Sequence, residues 1–181
     1  MPTLPHLDSA SYAPSLLPLS ATEAGAVEHL LDRAFGTDRH ARTAYRVRGG
    51  ALPVPALSFA AIEQDGTLAG SLQSWPVALT PPDGSAVPLV LVGPVAVLPE
   101  RQRTGLGRRM MTEMLARADA TGAGPLVLVG DPEYYGRFFG FTAEATAGWE
   151  LPGPFDRHRL LARTGGATLP VRGMLGPRES D

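Results

Sequence analysis

The chain has 181 residues, of which 44% are hydrophobic and 19% are charged, and its formal net charge is -2. A chain of this length and composition is typical of one globular domain with a substantial core, and its small net charge gives no overall attraction to nucleic acid or to an anionic membrane. Because cysteine and lysine are both absent, disulfides, thiolate nucleophiles, cysteine-ligated zinc, Schiff bases and lysine-containing phosphate loops are excluded.

Other features of the sequence limit the possible partners and the domain organisation. The four histidines are too widely scattered to predict a metal site. The first residues lack the basic start and long apolar segment of a signal peptide, and no segment approaches the roughly 20 apolar residues of a membrane span. We therefore expect a cytoplasmic protein with neither a membrane nor a nucleic-acid partner. We also expect one domain over residues 15–172, between flexible tails over residues 1–14 and 173–181.

The first half of the chain predicts two helices and a hairpin. The segment "SLLPL" is typical of a short edge strand because its proline cannot donate a backbone hydrogen bond. Apolar residues then recur at helical spacing between Thr22 and Gly36, which predicts the first helix. A second, shorter helix is predicted over residues 38–50. The turn dipeptide "DG" at residues 65–66 separates two apolar runs, which predicts two antiparallel strands.

The second half alternates strands with helices. The run "LVLVGPVAVL" (residues 89–98) is so uniformly apolar that we expect a strand buried on both faces. A helix with a methionine-rich apolar stripe follows from Leu106, and the strand "LVLV" precedes a short helix, "PEYYGRFF", capped by Asp131. "GFTAEA" begins another strand, and "RHRLLAR" is the last strand predicted. This order of elements indicates a single α+β, or mixed α/β, domain.

The stretch "PERQRTGLGRRM", residues 99–110, joins the predicted central strand to the following helix. The first amides of a helix lack internal partners and lie at the positive end of its dipole, so they favour an anion. Gly105 and Gly107 allow a phosphate to approach the backbone and permit positive φ, and the four surrounding arginines add charge. The alternative is an ordinary loop with solvated arginines, but cations at a helix N-terminus oppose the dipole unless an anion is bound.

Pro94 interrupts the central strand, because proline has no backbone N–H to donate to the ladder. The strand can therefore part from its neighbour and leave amides and carbonyls free to pair with an extended, amide-containing ligand. Phosphates at a helix start, next to such an arm, describe coenzyme A better than a simple nucleotide.

These segments resemble the GNAT acyltransferase superfamily, whose signature is Gln or Arg, two residues, Gly, one residue, and then Gly or Ala. Gln102, Gly105 and Gly107 fit that signature. "GPVAVLPERQRTGLGRRMM" resembles the superfamily's central strand, pyrophosphate loop and helix, and "LVLVGDPEYYGRFFGF" resembles its next strand and short helix. The resemblance implies a mixed, mostly antiparallel sheet with a splayed central strand, flanked by helices. It also implies direct transfer of an acetyl group from the co-substrate acetyl-CoA, without a metal, to a primary amine of a small molecule or peptide.

The resemblance further implies which residues bind coenzyme A. The strand residues that would pair with the pantetheine arm are Val95, Ala96 and Val97. The residues that would surround the pyrophosphate are Gln102, Arg103, Thr104, Gly105, Leu106, Gly107 and Arg108.

Direct transfer needs an acid to protonate the leaving thiolate and a base to take the amine proton. In the superfamily the acid is often a tyrosine on the short helix, where this chain has Tyr134 and Tyr135. The family's tyrosine usually lies four residues before the closing glycine, a position that Gly136 fills here, and we favour Tyr135 over Tyr134 as the acid. The alternative is that both tyrosines only pack. The candidate bases are Glu100 first, then Glu63, Glu133, Asp131 or a water molecule.

Other functions and roles stay open. A domain that binds or senses coenzyme A without turnover would keep the same loop, and a nucleotide binder would bind ATP or NAD in its place. The six-residue dinucleotide fingerprint is absent, which disfavours the nucleotide binder. Trp75 and Trp149 are either core residues or part of an acceptor pocket, and a homodimer is possible.

Overall fold

The computed structural model describes residues 13–179, which form an eight-stranded sheet and four α-helices. The strands are β1 (Ser15–Pro18), β2 (Phe59–Ile62), β3 (Leu68–Thr80), β4 (Val87–Val97), β5 (Leu126–Val129), β6 (Trp149–Glu150), β7 (Leu160–Arg163) and β8 (Gly173–Pro177). The helices are α1 (Ala24–Phe35), α2 (Thr43–Arg48), α3 (Leu106–Thr121) and α4 (Pro132–Phe139). Residues 1–12 of the predicted N-terminal tail lie outside the described residues.

The sheet order is β1-β2-β3-β4-β5-β7, and neighbours in this order are antiparallel except for the parallel pair β4 and β5. β3 has 13 residues, so one of its edges pairs with β2 near its start and with β8 near its end. β6 joins the sheet by pairing parallel with β8. This mixed, mostly antiparallel sheet, flanked by helices, confirms the predicted fold class.

β4 is buried on both faces, as its uniform apolar run predicts. Val90 and Val92 contact the core cluster under α3, whereas the alternating residues Leu89 and Leu91 contact a second cluster on the other face. Ala96 packs on that second face against α1. Helices on both faces therefore hold the central strand in place.

β4 separates from β5 in the middle of the sheet. Among the described residues, the parallel pairing of these strands is limited to Val90 with Leu126 and Leu91 with Val127. β4 nevertheless stays paired with β3 as far as Val97, with a bulge in β4, where Gly93 and Pro94 lie opposite the single β3 residue Gln73. The separation begins just before Pro94, whose missing N–H cannot support a regular ladder. The splayed central strand is thus present.

The predicted helix over residues 38–50 is shorter and less regular than expected. Residues Thr37–Ala41 form a 3₁₀ turn, and α2 follows and ends at Gly49. The predicted strand in "GFTAEA" is reduced to a single bridge between Thr142 and Ala162. The chain then enters a turn, in which the Thr146 hydroxyl donates to Leu160 O at 2.6 Å.

The prediction of a tail over residues 173–181 is wrong for its first five residues. Gly173–Pro177 form β8, which pairs with Val77–Thr80 of β3. Leu175 is fully buried in the second core cluster. The strand forms because β3 extends beyond β2 and its remaining edge needs backbone partners.

Candidate active site

A cavity of about 770 Å³ opens where β4 and β5 separate. Its walls include the β4 residues from Leu91 to Val95 and the segment from Leu128 to Asp131, which runs from β5 into α4. Residues of α2 and of the loop before β7 complete the walls. The interruption of the central strand therefore gives access to the middle of the sheet.

The loop before α3 exposes a row of backbone amides. Arg103 and Gly105 have positive φ values of 65° and 81°, so the chain turns sharply before the helix starts at Leu106. Within residues 13–179 no acceptor hydrogen-bonds to the amides of residues 103–108. Gly105 has no side chain that could cap the helix. The site therefore fits an anion such as a pyrophosphate.

The two glycines of this loop serve different purposes. Gly105 needs its left-handed conformation, although an added Cβ would meet nothing within 4 Å. Gly107 faces β4, and a Cβ there would make only ordinary contacts, at 3.8 Å to Val97 and 4.0 Å to Val95. The φ requirement at Gly105 is thus the stronger constraint on the loop.

The four arginines of the junction do not all face an anion. Arg101 forms an ion pair with Glu63, and Arg109 donates to the carbonyl of Pro14. Arg108 lies with its guanidinium carbon 4.2 Å from the centre of the Phe138 ring, which links the start of α3 to α4. Arg103 has no carboxylate partner among the described residues. Arg103 and Arg108 are therefore the side chains left to attract phosphate charge.

The three β4 residues predicted to pair with a ligand are hydrogen-bonded to β3 on one side of the strand only. The register joins Val95 to Leu72, Ala96 to Ser71 and Val97 to Gly70 on the β3 side. The opposite edge faces the space that β5 leaves. An extended ligand with amide groups fits beside this edge as an added strand.

The two tyrosines of α4 differ in their relation to the cavity. Tyr135 lines the cavity and packs its ring against Gly130, where no Cβ fits. Burial is the main cause that raises the pKa of Tyr135 above its ordinary value; Tyr134 and Asp131 raise it further, and Arg159 opposes them. Tyr134 packs instead with its ring 5.4 Å from that of Phe138 and is not part of the cavity wall.

The order of these parts along the chain agrees with a known family. The sequence profile of the acetyltransferase (GNAT) domain matches residues 17–143, which is well over half of the chain. The chain belongs to the GNAT family. None of the curated proteins matches its sequence.

Solved GNAT structures share this architecture. A GNAT family N-acetyltransferase (YhbS) from Escherichia coli, in complex with CoA, is 25% identical with a TM-score of 0.72, and the match covers 96% of this chain and 93% of that one. A GNAT family acetyltransferase from Brucella melitensis, in complex with acetyl-CoA, is 26% identical with a TM-score of 0.64, and the match covers 88% and 92%. A GCN5-related N-acetyltransferase from Kribbella flavida, at 19% identity and a TM-score of 0.53 over 75% of this chain and 34% of that one, shares the fold.

The structure separates the predicted base of this GNAT protein from the tyrosines. Glu100 forms a bidentate pair with Arg33, with oxygen to nitrogen distances of 2.9 and 3.0 Å, on the exposed surface. That hydrogen bonding lowers the pKa of Glu100, and Glu100 is not part of the cavity wall. Among the alternative bases, only Asp131 lines the cavity, and its Oδ1 accepts the Glu133 N–H at 3.0 Å as the cap of α4.

Several cavity residues of this GNAT protein had no motif to reveal them. They are contributed by the region around α2 and by the loop before β7, and include Arg39, Arg42, Tyr45, Arg48, Phe155 and Arg159. For the residues around α2, the available signal was the density of arginine near Tyr45 in "RHARTAYRVR". Trp149 is a core residue whose Nε1 donates to Pro170 O at 2.8 Å. Trp75 is buried, is not part of the cavity wall and contacts Arg48.

Within residues 13–179 no helix is long and apolar enough to cross a membrane. The same residues contain no cluster of three or more histidine, aspartate or glutamate side chains arranged to hold a metal ion.

Proposed function

We propose that this GNAT protein transfers an acetyl group from acetyl-CoA to a primary amine of a small molecule or peptide. The observation that carries the proposal is the cavity between β4 and β5, which has the free edge of β4 on one wall and Tyr135 on another. The loop of free amides lies at the end of the same strand. The complexes of the E. coli and Brucella proteins with CoA and acetyl-CoA support this choice of co-substrate.

The residues of this chain fit coenzyme A in two places. The amides of residues 103–108, with Arg103 and Arg108, would hold the pyrophosphate, since they offer both donors and positive charge. The free edge of Val95–Val97 would pair with the pantetheine arm. Bound in this way, acetyl-CoA supplies an activated acyl group as its thioester.

Tyr135 acts as the general acid in this proposal. As the amine nitrogen forms a bond to the thioester carbonyl carbon, the carbon–sulfur bond breaks, and Tyr135 donates its hydroxyl proton to the departing sulfur. The amine proton passes to water in the cavity, and water returns a proton to the Tyr135 phenolate, which restores the acid. Because burial raises the pKa of Tyr135, the hydroxyl keeps its proton throughout the neutral range.

The experiment is a screen of amines with acetyl-CoA, scored by release of free thiol. We expect turnover with the wild-type protein and a decrease of at least ~tenfold in Tyr135→Phe, with CoA affinity nearly unchanged. Tyr134→Phe is the matched control, because it removes a neighbouring hydroxyl that does not face the cavity, and it should retain wild-type turnover.

Each of the other outcomes has a distinct meaning. CoA binding without thiol release across a broad amine panel would favour a sensor that binds coenzyme A without turnover. Unchanged turnover in Tyr135→Phe would remove this residue from the mechanism. Binding of ATP or NAD in place of CoA would contradict the proposal as a whole.

A further inference from the structure

The cavity contains a guanidinium that has no carboxylate partner. Arg48, the last residue of α2, lines the cavity and is half-buried. Its guanidinium carbon lies 3.8 Å from the centre of the Tyr45 ring and 3.9 Å from that of Trp75. Among the described residues, no carboxylate lies within 4.0 Å of it. A cation that is partly removed from water usually lies near a counter-ion, so the lack of a carboxylate beside Arg48 points to a ligand in that place.

The other arginines of the cavity already have protein acceptors. Arg39 is almost fully buried and pairs with Glu28 and Asp32, which lie outside the cavity. Arg42 Nη2 donates to a backbone carbonyl of α1 at 3.0 Å, and Arg159 Nε donates to the Gly130 carbonyl at 3.4 Å. Arg48 differs from them because its guanidinium stacks on two aromatic rings, and its side-chain hydrogen bond is with the Tyr45 hydroxyl rather than with a carboxylate or a backbone carbonyl. Stacking fixes the plane of the group and leaves its edge N–H donors for a ligand.

The charge of the cavity wall also favours an anionic group on the ligand. Arginine contributes four of the lining residues and aspartate contributes two, Asp131 and Asp156. Each aspartate has one oxygen occupied as a helix cap, at 3.0 Å from the amide of Glu133 or His158. Glu28 and Asp32 neutralise Arg39, and the three other arginines of the wall still outnumber its two aspartates. Such a wall disfavours amines that carry further positive charge, such as polyamines.

Arg48 lies next to the point where β4 leaves β5. Trp75, against which it stacks, pairs with Leu91 in the ladder and donates from Nε1 to the Gly93 carbonyl at 2.7 Å. Leu91 is also the last β4 residue paired with β5. A small molecule held at Arg48 therefore has its other end at the opening between the strands.

We propose that the acceptor is a small amine that also carries a carboxylate, as an amino acid does, and that Arg48 binds this carboxylate. The planar guanidinium fork matches the two oxygens of a carboxylate. This inference rests on the proposed acetyl transfer and narrows its substrate class.

The test compares amino acids with their primary carboxamides as acetyl acceptors. The amine of a carboxamide is less basic and is therefore more often unprotonated at neutral pH, so chemistry alone favours the amide. We expect the wild-type protein to prefer the carboxylates by about tenfold or more in kcat/KM. In Arg48→Gln, KM for the carboxylates should rise until this preference is lost, while the values for carboxamides and for acetyl-CoA stay unchanged.

The control is Arg46→Gln, which removes the same charge from an exposed position of the same helix outside the cavity wall. It should retain the wild-type preference. Arg48→Lys keeps the charge without the planar fork and should recover only part of it. Equal use of carboxylates and carboxamides by the wild-type protein would overturn the inference, as would an equal loss of both in Arg48→Gln.

A binding measurement separates this inference from the proposed function. Calorimetry with CoA-loaded protein compares N-acetyl amino acids with their amides, which are the two kinds of product. Tighter binding of the carboxylates that is lost in Arg48→Gln supports the inference even if no amine is acetylated, a result that would contradict only the transferase activity. Equal affinity for the two kinds of product, or no binding of either, overturns the inference.

Discussion

Burial gives Tyr135 a property that can be measured without any substrate. The phenolate is disfavoured in the cavity wall, so the pKa of Tyr135 lies above the ordinary value of 10.0. We predict that the difference in ultraviolet absorbance between the wild-type protein and Tyr135→Phe, followed during an alkaline titration, shows a phenolate transition above pH 10. N-acetyltyrosine amide in the same buffer provides the reference. A transition at or below the reference midpoint would contradict the prediction.

The same pKa shift sets the direction of its effect on stability. Because the folded-state pKa of Tyr135 is raised, the folded protein retains this proton at pH values where the unfolded chain has lost it. The stability contribution is therefore complete below about pH 10 and is lost as the pH rises through the folded-state pKa. In the neutral range Tyr135 therefore stays protonated. Its titration there changes neither the free energy of unfolding nor the availability of the proposed acid.

Residues whose role depends on their own backbone could be predicted from the sequence. Gly105 lies in the left-handed region before α3, and Asp131 caps α4, as their positions indicated. Arg48 carries no such local signal, because its surroundings include Trp75, which is distant along the chain and meets α2 only in the folded protein. Glu100 was predicted as the base for the same lack of tertiary information. It pairs with Arg33 of α1 instead, and no local pattern in the sequence reveals that contact.

At the scale of elements, α3 depends on a close approach to the sheet at Gly70 in β3. A Cβ at Gly70 would lie 2.9 Å from the Ala96 carbonyl oxygen, 3.0 Å from Met110 Cε and 3.2 Å from Leu106 Cδ2. We predict that Gly70→Ala lowers the free energy of unfolding by about 1–3 kcal/mol in urea, because the helix must shift to make room. Since Leu106 begins α3, the amide loop shifts with it, and CoA affinity measured by calorimetry should fall.

The matched control for Gly70→Ala is Gly25→Ala in α1, where an added Cβ meets nothing within 4 Å. This variant should keep CoA affinity and equal or slightly exceed the wild-type stability, because alanine favours helix more than glycine does. If Gly70→Ala retained both stability and CoA affinity, the close approach would not be what positions the start of α3.

The periodicity of apolar residues was sufficient to predict the elements that bury a full face. α1, α3 and β4 have regular apolar patterns because each packs a continuous stripe or run into the core. β6 has only two residues and β8 only five, with glycine at its start and proline at its end, so neither produces a readable pattern. Both strands form because longer strands already present an edge to pair with, which is information that lies elsewhere in the chain.

At the scale of the whole molecule, the cavity results from the way in which the sheet is divided. β4 remains paired with β3 along most of its length while it parts from β5, so the opening lies between two strands that are each held by another neighbour. Pro94 indicated the interruption, but the walls from α2 and from the loop before β7 depend on packing between distant segments. The loop before α3 and the interrupted edge of β4 could therefore be predicted from the sequence, whereas the walls from α2 and from the loop before β7 could not.

The C-terminal strand provides a prediction at this same scale, because β8 covers the part of the β3 edge that β2 leaves unpaired. Deleting residues 173–181 would expose that edge and the second core cluster, so we expect the truncated chain to unfold or aggregate. Deleting only residues 178–181 should change the free energy of unfolding by no more than about 0.5 kcal/mol.

Within β8, Leu175→Ala should lower the free energy of unfolding in urea by about 2–5 kcal/mol, because Leu175 is fully buried. Met174→Ala is the matched control, since Met174 is 45% exposed and should cost much less. If the chain lacking residues 173–181 folds with full stability, these residues contribute nothing to the fold, as expected of a flexible tail.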